Sequence, residues 1–331
     1  MIPNMVCLGI ECTAHTFGVS VVRGSKVLSN EKKSFTTSSG GMIPSEVADF
    51  HVDVLDDVFL SALSKANISP KEIEVIAVST SPGIGHSLRV GAFFARALSL
   101  KLSKPLIPVN HCIAHLEIGR ILTPSKDPIL LYASGANTQV IGFEAKKYRV
   151  FGETLDIGVG NFLDSFGRAL GLGFPAGPKI EALALKGKNF VKLPYSVKGM
   201  DVSFGGLLTN LKHKIKSGKY SVEDLCFSVQ ETVFAMLVEV TERALAHTDK
   251  KEVLLGGGVA CNKRFQEMVR IMCSERGAEA FFLDNEFLVD NAAMIALNGL
   301  LIYSFENKDL FSESKINPYL RTDEVIINYR D

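Results

Sequence analysis

The sequence predicts an α/β protein of two lobes, each built on a mixed β-sheet, with a central cleft between them. Three observations carry that prediction: a strand-turn-strand unit at the N-terminus, a second one about 120 residues later, and a glycine loop between a strand and a helix further on. The interval is too long for a solenoid, whose repeats run at roughly 20–50 residues, and fits two copies of one lobe. Strands alternating with helices call for this mixed layering.

The first unit begins with the apolar run Val6–Ile10, breaks at Glu11-Cys-Thr-Ala and resumes as Phe17-Gly-Val-Ser-Val-Val. Val75–Ser79 reads as a buried strand, and the loop Ser81-Pro-Gly-Ile-Gly follows it. Ser87–Ser103 carries apolar residues at helical spacing, and Leu106–Val109 is a short strand. The second unit runs Ile129-Leu-Leu-Tyr-Ala, turns at Ser134-Gly-Ala-Asn and returns as Thr138-Gln-Val-Ile-Gly-Phe. Val222, Leu225, Val229, Val233, Met236, Leu237, Val240 and Ala244 mark a long amphipathic helix. Glu252–Leu255 is a strand, Gly256-Gly-Gly a loop, and Asn262–Cys273 and Asp290–Leu301 are helices. The expected divisions are 5–123 for the first lobe, 127–305 for the second, and 306–331 for a tail packing back on the first.

Composition sets the outer limits. Lys plus Arg and Asp plus Glu number 36 each, so the net charge is zero over 331 residues, which argues against a globally basic nucleic-acid binder. No run nears the roughly 18 apolar residues of a membrane span, and Met1-Ile-Pro-Asn-Met-Val lacks the basic start of a secretory leader. The six cysteines form no CxxC pair and read as reduced thiols of a cytoplasmic protein.

Four constellations bear on chemistry. Glycine-rich hairpin turns at Gly9–Val22 and Tyr132–Val140 expose backbone amides that can cradle phosphates, and with Gly256-Gly-Gly they match the actin, sugar-kinase and heat-shock ATPase (ASKHA) superfamily. His111 and His115, at i and i+4, fall on one helical face, where they can share a metal. Peptidase chemistry is disfavoured, because the residue after the first histidine is Cys112 and not the glutamate that would act as general base. Asp164 and Arg168 are spaced for a surface ion pair, and Gly177-Pro178 with Glu181 reads as a helix start with a carboxylate in its first turn. Finally, Lys179–Lys219 holds nine lysines against Glu181 and Asp201, a local net of +7 that reads either as a solvated face or as a contact surface for a phosphate backbone.

Together these segments resemble one family, the universal tRNA threonylcarbamoyl-transfer proteins, which include bacterial TsaD and the catalytic subunit of the archaeal and eukaryotic KEOPS complex. The resemblance runs from about Val6 to Val325 and rests on Leu8-Gly-Ile-Glu-Cys-Thr-Ala-His, Ser87-Leu-Arg-Val-Gly, Val109-Asn-His-Cys-Ile-Ala-His-Leu-Glu-Ile-Gly-Arg, Tyr132-Ala-Ser-Gly-Ala-Asn-Thr-Gln, Gly152-Glu-Thr-Leu-Asp-Ile-Gly-Val-Gly-Asn, Leu193-Pro-Tyr-Ser-Val-Lys-Gly-Met-Asp, Gly256-Gly-Gly-Val-Ala-Cys-Asn and Asp290-Asn-Ala-Ala-Met-Ile-Ala. Glu117-Ile-Gly-Arg and Tyr195-Ser-Val-Lys-Gly-Met look like the archaeal and eukaryotic branch.

The resemblance implies one metal ion, iron ahead of zinc, on His111, His115, Tyr132 and Asp290. It implies nucleotide contacts at Tyr132, Ala133, Ser134, Gly135, Ala136, Asp164, Gly177, Glu181, Gly257, Gly258 and Asn262, with Mg accompanying any bound ATP or ADP. The implied reaction takes threonylcarbamoyl-AMP and transfers its acyl group to N6 of the adenosine 3′ of the anticodon in ANN-decoding tRNAs. The partners implied are tRNA and KEOPS subunits, with the small kinase as a separate chain. Glu11, His15 and metal-bound water are the candidates for taking the adenine amino proton. A small-molecule kinase, a metalloprotease and a non-enzymatic scaffold are the competing readings. Cys12 and Ala136 stand where the family usually has Gly, Ser81 replaces the first Gly of Gly-Pro-Gly, Gly205 stands where Ser is common, and Ala292 replaces Gly after Asp-Asn. Glycine lost from a left-handed position costs about 1 kcal/mol, so one of these turns is expected to be remodelled.

Overall fold

Val6–Glu11 (β1) is buried at every position, as a strand covered on both faces must be. In the computed structural model, which describes residues 2–37 and 42–330, it lies at the centre of a five-stranded sheet; Asp331, the end of the expected tail, falls outside the described residues. Thr16–Arg23 (β2) and Lys26–Ser34 (β3) extend the sheet antiparallel on one side. Val75–Ser81 (β4) and Leu106–Asn110 (β5) extend it parallel on the other, giving the order β3-β2-β1-β4-β5. Pro44–Ala66 (α1), Gly85–Leu102 (α2) and His111–Leu122 (α3) are the helices of this part of the chain.

The second sheet repeats the plan. Ile129–Ala133 (β6), Thr138–Glu144 (β7) and Lys147–Glu153 (β8) form an antiparallel meander. The intervening elements are Val159–Ala169 (α4), Gly177–Ala184 (α5), a small hairpin of Val197–Lys198 (β9) and Asp201–Val202 (β10), Gly205–Ser217 (α6) and Val222–Thr248 (α7). Glu252–Gly256 (β11) then pairs parallel with β6, Lys263–Glu275 (α8) follows, and Glu279–Phe281 (β12) pairs parallel with β11. The order β8-β7-β6-β11-β12 is the first sheet's order over again, so the duplication legible in the turns extends to the whole topology.

Asn285–Leu288 (α9) and Ala292–Glu306 (α10) complete the helices. The N-terminal part of α10, which the sequence assigns to the second lobe, packs on β1 of the first. A Cβ at Gly9 would stand 2.3 Å from the Ala292 carbonyl, so only glycine admits the helix this close. The reason is composition: Ala292–Leu300 is buried throughout, and its apolar cover comes from the first lobe, from β1, β2, β4, β5 and α3, with Gly299 set against Ala77 of β4.

The tail also departs from expectation. Its first half does pack on the first lobe, where the Leu310 amide donates to the Leu106 carbonyl and the Asn317 amide to that of Thr80. It then crosses to the second lobe, where the Ile327 amide donates to the Lys146 carbonyl and Arg330 bonds Asp127 at 2.7 Å. Phe143 and Tyr148 supply the attraction, since the Arg330 guanidinium lies 4.0 Å from the Phe143 ring centre.

Candidate metal and nucleotide site

Asn110 closes β5 and caps α3, its side chain accepting from the Ile113 amide at 3.1 Å. That cap starts the helix at His111, so the two histidines sit on one face with ring centres 4.7 Å apart. Asn291 caps α10 in the same way, accepting from the Met294 amide at 3.0 Å, and fixes Asp290 just outside the helix. Asp290 Oδ1 lies 3.4 Å from His111 Nε2 and 3.3 Å from His115 Nε2. One ligand atom from each of the three lies within 4.8 Å of the others, so these residues can hold a metal ion. Tyr132, the penultimate residue of β6, has its ring centre 5.2 Å from that of His115.

The electrostatics favour positive charge at this point. Burial disfavours the His111 imidazolium, but Glu11 and Asp290 on either side outweigh it and hold the ring well above its ordinary pKa. Burial likewise opposes ionisation of Asp290, yet the two imidazoles keep its carboxyl well below the usual range. Burial pushes His115 down, leaving a neutral ring suited to ligation, and drives the Tyr132 phenol well up. A phenol so placed ionises only beside a cation. With a cation displacing the proton of His111, two imidazoles, a carboxylate and an oxygen that needs a cation form a donor set that fits a metal.

Glu11 is fully buried and both its oxygens are occupied. Oε1 accepts from the Thr13 amide at 2.8 Å and from the Thr13 hydroxyl at 2.5 Å, and Oε2 lies 3.0 Å from His111 Nδ1. Glu11 therefore orients His111 and leaves Nε2 facing Asp290, an outer-shell role for the residue expected as a candidate proton acceptor. Thr13, whose hydroxyl is also 3.1 Å from His111 Nδ1, is a partner the sequence did not single out. Its spacing two residues after Glu11 is the only signal. His15 stands on the same turn, half-buried, with its ring edge against Phe174 at 5.8 Å. Cys112 is a buried thiol pushed up in pKa, chiefly by burial, with no general-base capacity.

The glycine loops converge on the second hairpin. The Gly160 and Asn161 amides at the start of α4 donate to the Ser134 and Gly135 carbonyls, both at 2.9 Å. Gly257, at φ +88, presses on the same strand end, where a Cβ would stand 2.4 Å from the Ala133 carbonyl. Asn262 caps α8 and also donates to Gln230 at 2.8 Å. Glu181 Oε1 accepts from the Lys263 amide at 2.8 Å, so α5 is tied to the loop that contains Gly258.

Three local expectations change. Among the described residues Asp164 makes no ion pair with Arg168; its Oδ1 instead accepts from the Ala176 amide at 2.8 Å, next to Gly177, because the side chain is half-buried beneath that turn. Helix α5 begins at Gly177 with Pro178 second, which places Glu181 beyond the first turn and out of range of the dipole contact. Neither Cys12 nor Ala136 has a left-handed backbone, so the glycine replacements require no remodelling of either turn.

Comparison with known proteins agrees with this geometry. A family model described as tRNA N6-adenosine threonylcarbamoyltransferase matches residues 26–297. A tRNA N6-adenosine threonylcarbamoyltransferase of Thermococcus gammatolerans is 51% identical over 98% of this chain and 100% of its own. One from Xenopus laevis is 46% identical over 98% and 99%. A probable bifunctional tRNA threonylcarbamoyladenosine biosynthesis protein of Methanothermobacter thermautotrophicus is 50% identical over 97% of this chain but 60% of its own length. Among solved structures, HypF of T. kodakarensis superposes with a TM-score of 0.62 at 17% identity, covering 91% of this chain and 48% of that one. An activator of 2-hydroxyisocaproyl-CoA dehydratase from Clostridium difficile, with bound ADPNP, gives 0.55 at 12%, covering 92% and 98%. At those identities the structures speak to the fold, which is the two-lobed actin-like one. With half its residues shared along the full length of such relatives, the chain belongs to the TsaD family of tRNA N6-adenosine threonylcarbamoyltransferases.

Proposed function

We infer that this protein transfers the threonylcarbamoyl group of threonylcarbamoyl-AMP to N6 of the adenosine 3′ of the anticodon in ANN-decoding tRNAs, releasing AMP. The observation that carries the reading is the His111–His115–Asp290 cluster set directly against the second glycine hairpin, in a chain half-identical to named transferases. In the transfer, N6 forms a bond to the carbamoyl carbon, the carbon–oxygen bond to phosphate breaks, and AMP leaves with that electron pair while N6 gives up one proton.

The chain's residues divide this work. His111, His115, Tyr132 and Asp290 would hold the ion, a donor set that suits iron or zinc, with iron preferred on the family resemblance. When bound, the ion supplies Lewis-acid polarisation of the acyl carbonyl. The Gly135 and Ala136 amides make no hydrogen bond within the protein among the described residues, and they are the donors proposed for the phosphate and the developing acyl oxyanion. Asp164 and Glu181 each have one oxygen anchored by a backbone amide, which leaves the other for a ribose hydroxyl. Gly177, Gly257, Gly258 and Asn262 shape the adenosine side of the cleft, and the same loops suit ATP or ADP with Mg. With Glu11 closed off, His15 is the residue assigned to accept the N6 proton.

The substrate, tRNA, argues for a cytoplasmic setting, and no described helix is long and apolar enough to cross a membrane. The longer bifunctional relatives support the reading that KEOPS-type subunits, a separate small kinase among them, assist this chain. The test is incubation with threonylcarbamoyl-AMP and tRNA, with and without such partners, followed by mass spectrometry of the nucleosides. Modified adenosine from the wild type and none from His111→Ala is the expected result. Equal product from both would overturn the assignment.

A further inference from the structure

We propose that Asn317–Arg321 is the platform on which the anticodon loop docks, with Tyr319 stacking on a splayed base while Arg89 and Lys315 meet the flanking phosphates. The proposal rests on the transfer reading above and names the surface that receives its RNA. Tyr319 is 89% exposed, a large aromatic left in water. Its backbone is nonetheless pinned. The Asn317 amide donates to the Thr80 carbonyl at 2.9 Å, the Gly83 amide donates to the Pro318 carbonyl at 3.2 Å, and the Tyr319 amide donates to Asn317 Oδ1 at 3.2 Å. Beyond it, Arg321 reaches Glu153 of β8 at 3.3 Å. An exposed ring on a backbone held from both lobes is preorganised, so little freedom is lost when something stacks on it.

Its position joins it to the chemistry on two sides. On one, the Ile84 amide, next to Gly83, donates to the Thr13 carbonyl at 2.7 Å, and the Thr13 hydroxyl is 3.1 Å from His111 Nδ1. On the other, the side chain of Thr322, which follows Arg321, lies beside the thiol of Cys112, the residue after His111. The segment thus forms the rim of the metal site. Helix α2 runs beside it: Gly85 faces Pro318, and Arg96 Nε donates to Ser314 at 3.0 Å. Arg89 is one turn from Gly85 on the same face. Arg89 and Lys315 are exposed, and neither has a carboxylate partner among the described residues.

An exposed aromatic flanked by unneutralised cations is the chemistry that recognises single-stranded RNA, whose unstacked bases offer a π-face and whose phosphates offer charge. The acceptor adenosine is such a base. Its N6 can reach a buried centre only if the loop is opened and held at the rim.

The experiment uses the full chain with its activating partners. It measures steady-state transfer to tRNA, anisotropy of a labelled anticodon stem-loop, and AMP binding by calorimetry, for Tyr319→Ala, Tyr319→Phe and Arg89→Glu. Tyr319→Ala should raise KM for tRNA and weaken stem-loop binding about tenfold. Its kcat should stay within about twofold of wild type and its AMP affinity should not change, while Tyr319→Phe behaves as wild type. Arg89→Glu should weaken stem-loop binding and flatten its salt dependence. Unaltered KM and stem-loop binding in Tyr319→Ala, or loss of complex assembly in place of RNA affinity, would overturn the proposal. A wild type that binds the stem-loop but transfers nothing would overturn the transfer reading alone.

Discussion

Glu11 Oε2 stands 3.0 Å from His111 Nδ1, although a hundred residues separate the two in sequence. The parallel run β1-β4-β5 brings the carboxyl ends of these strands together, and Glu11 ends β1 while His111 follows β5. Ligand sites of α/β sheets form at such strand ends. The contact fixes which ring nitrogen of His111 faces Asp290. Glu11→Ala should therefore reduce metal affinity about 10–100-fold with circular dichroism unchanged, the range for loss of an outer-shell partner. Calorimetric titration of metal into the stripped protein measures it, and wild-type affinity in the variant would remove Glu11 from the site.

Asp290→Asn keeps the side chain's shape and removes the charge shared by His111 and His115 at 3.4 and 3.3 Å. Metal content of the purified variant should fall, and transfer should drop more than about 100-fold, beyond the cost of losing an outer partner. Elemental analysis beside nucleoside mass spectrometry reads both. Full transfer by metal-stripped Asp290→Asn would end the metal assignment.

None of the nine lysines between Lys179 and Lys219 is in an ion pair among the described residues. Binding of tRNA by the isolated chain should be weak and salt-sensitive. Replacing Lys212 and Lys216, both exposed on α6, with Glu should lower the slope of log K against log salt by about 1–2. Tight binding that persists at high salt would contradict this.

Arg330 is buried between Tyr148, the Lys126 carbonyl and Asp127, and stacks on Phe143. Arg330→Ala removes these together and should cost about 2 kcal/mol in a urea titration, since Asp127 is half exposed and water can replace part of the loss. A change below about 0.5 kcal/mol would show that the tail is held by its other contacts.

Much of the fold was legible because the central strands are apolar runs interrupted by glycine-rich turns. Strand β3 was not: it reads Lys-Val-Leu-Ser-Asn-Glu-Lys-Lys-Ser, a partly exposed edge with no unbroken apolar stretch. Helix α1 was missed although Val47, Val54 and Val58 are buried at helical spacing, because it lies after a polar stretch with no side-chain cap to announce it. The i, i+4 spacing was enough to place His111 and His115 on one face. The family resemblance added Asp290 and Tyr132; Asp290 lies 3.4 and 3.3 Å from the two imidazoles, and the Tyr132 ring packs beside that of His115.

By itself, the sequence determined the duplicated α/β architecture, the histidine pair, the glycine hairpins and the family. Those features are local patterns, or one local pattern met again about 120 residues later, and each copy can be seen within its own segment. Tertiary structure alone decided that Glu11 serves His111, that Asp164 bonds the Ala176 amide and not Arg168, and that α10 joins β1 through Gly9. Each depends on which strand ends and loops become neighbours, and burial then sets which hydrogen-bond partner a carboxylate must take. Sequence spacing within one helix or turn carries no record of that choice.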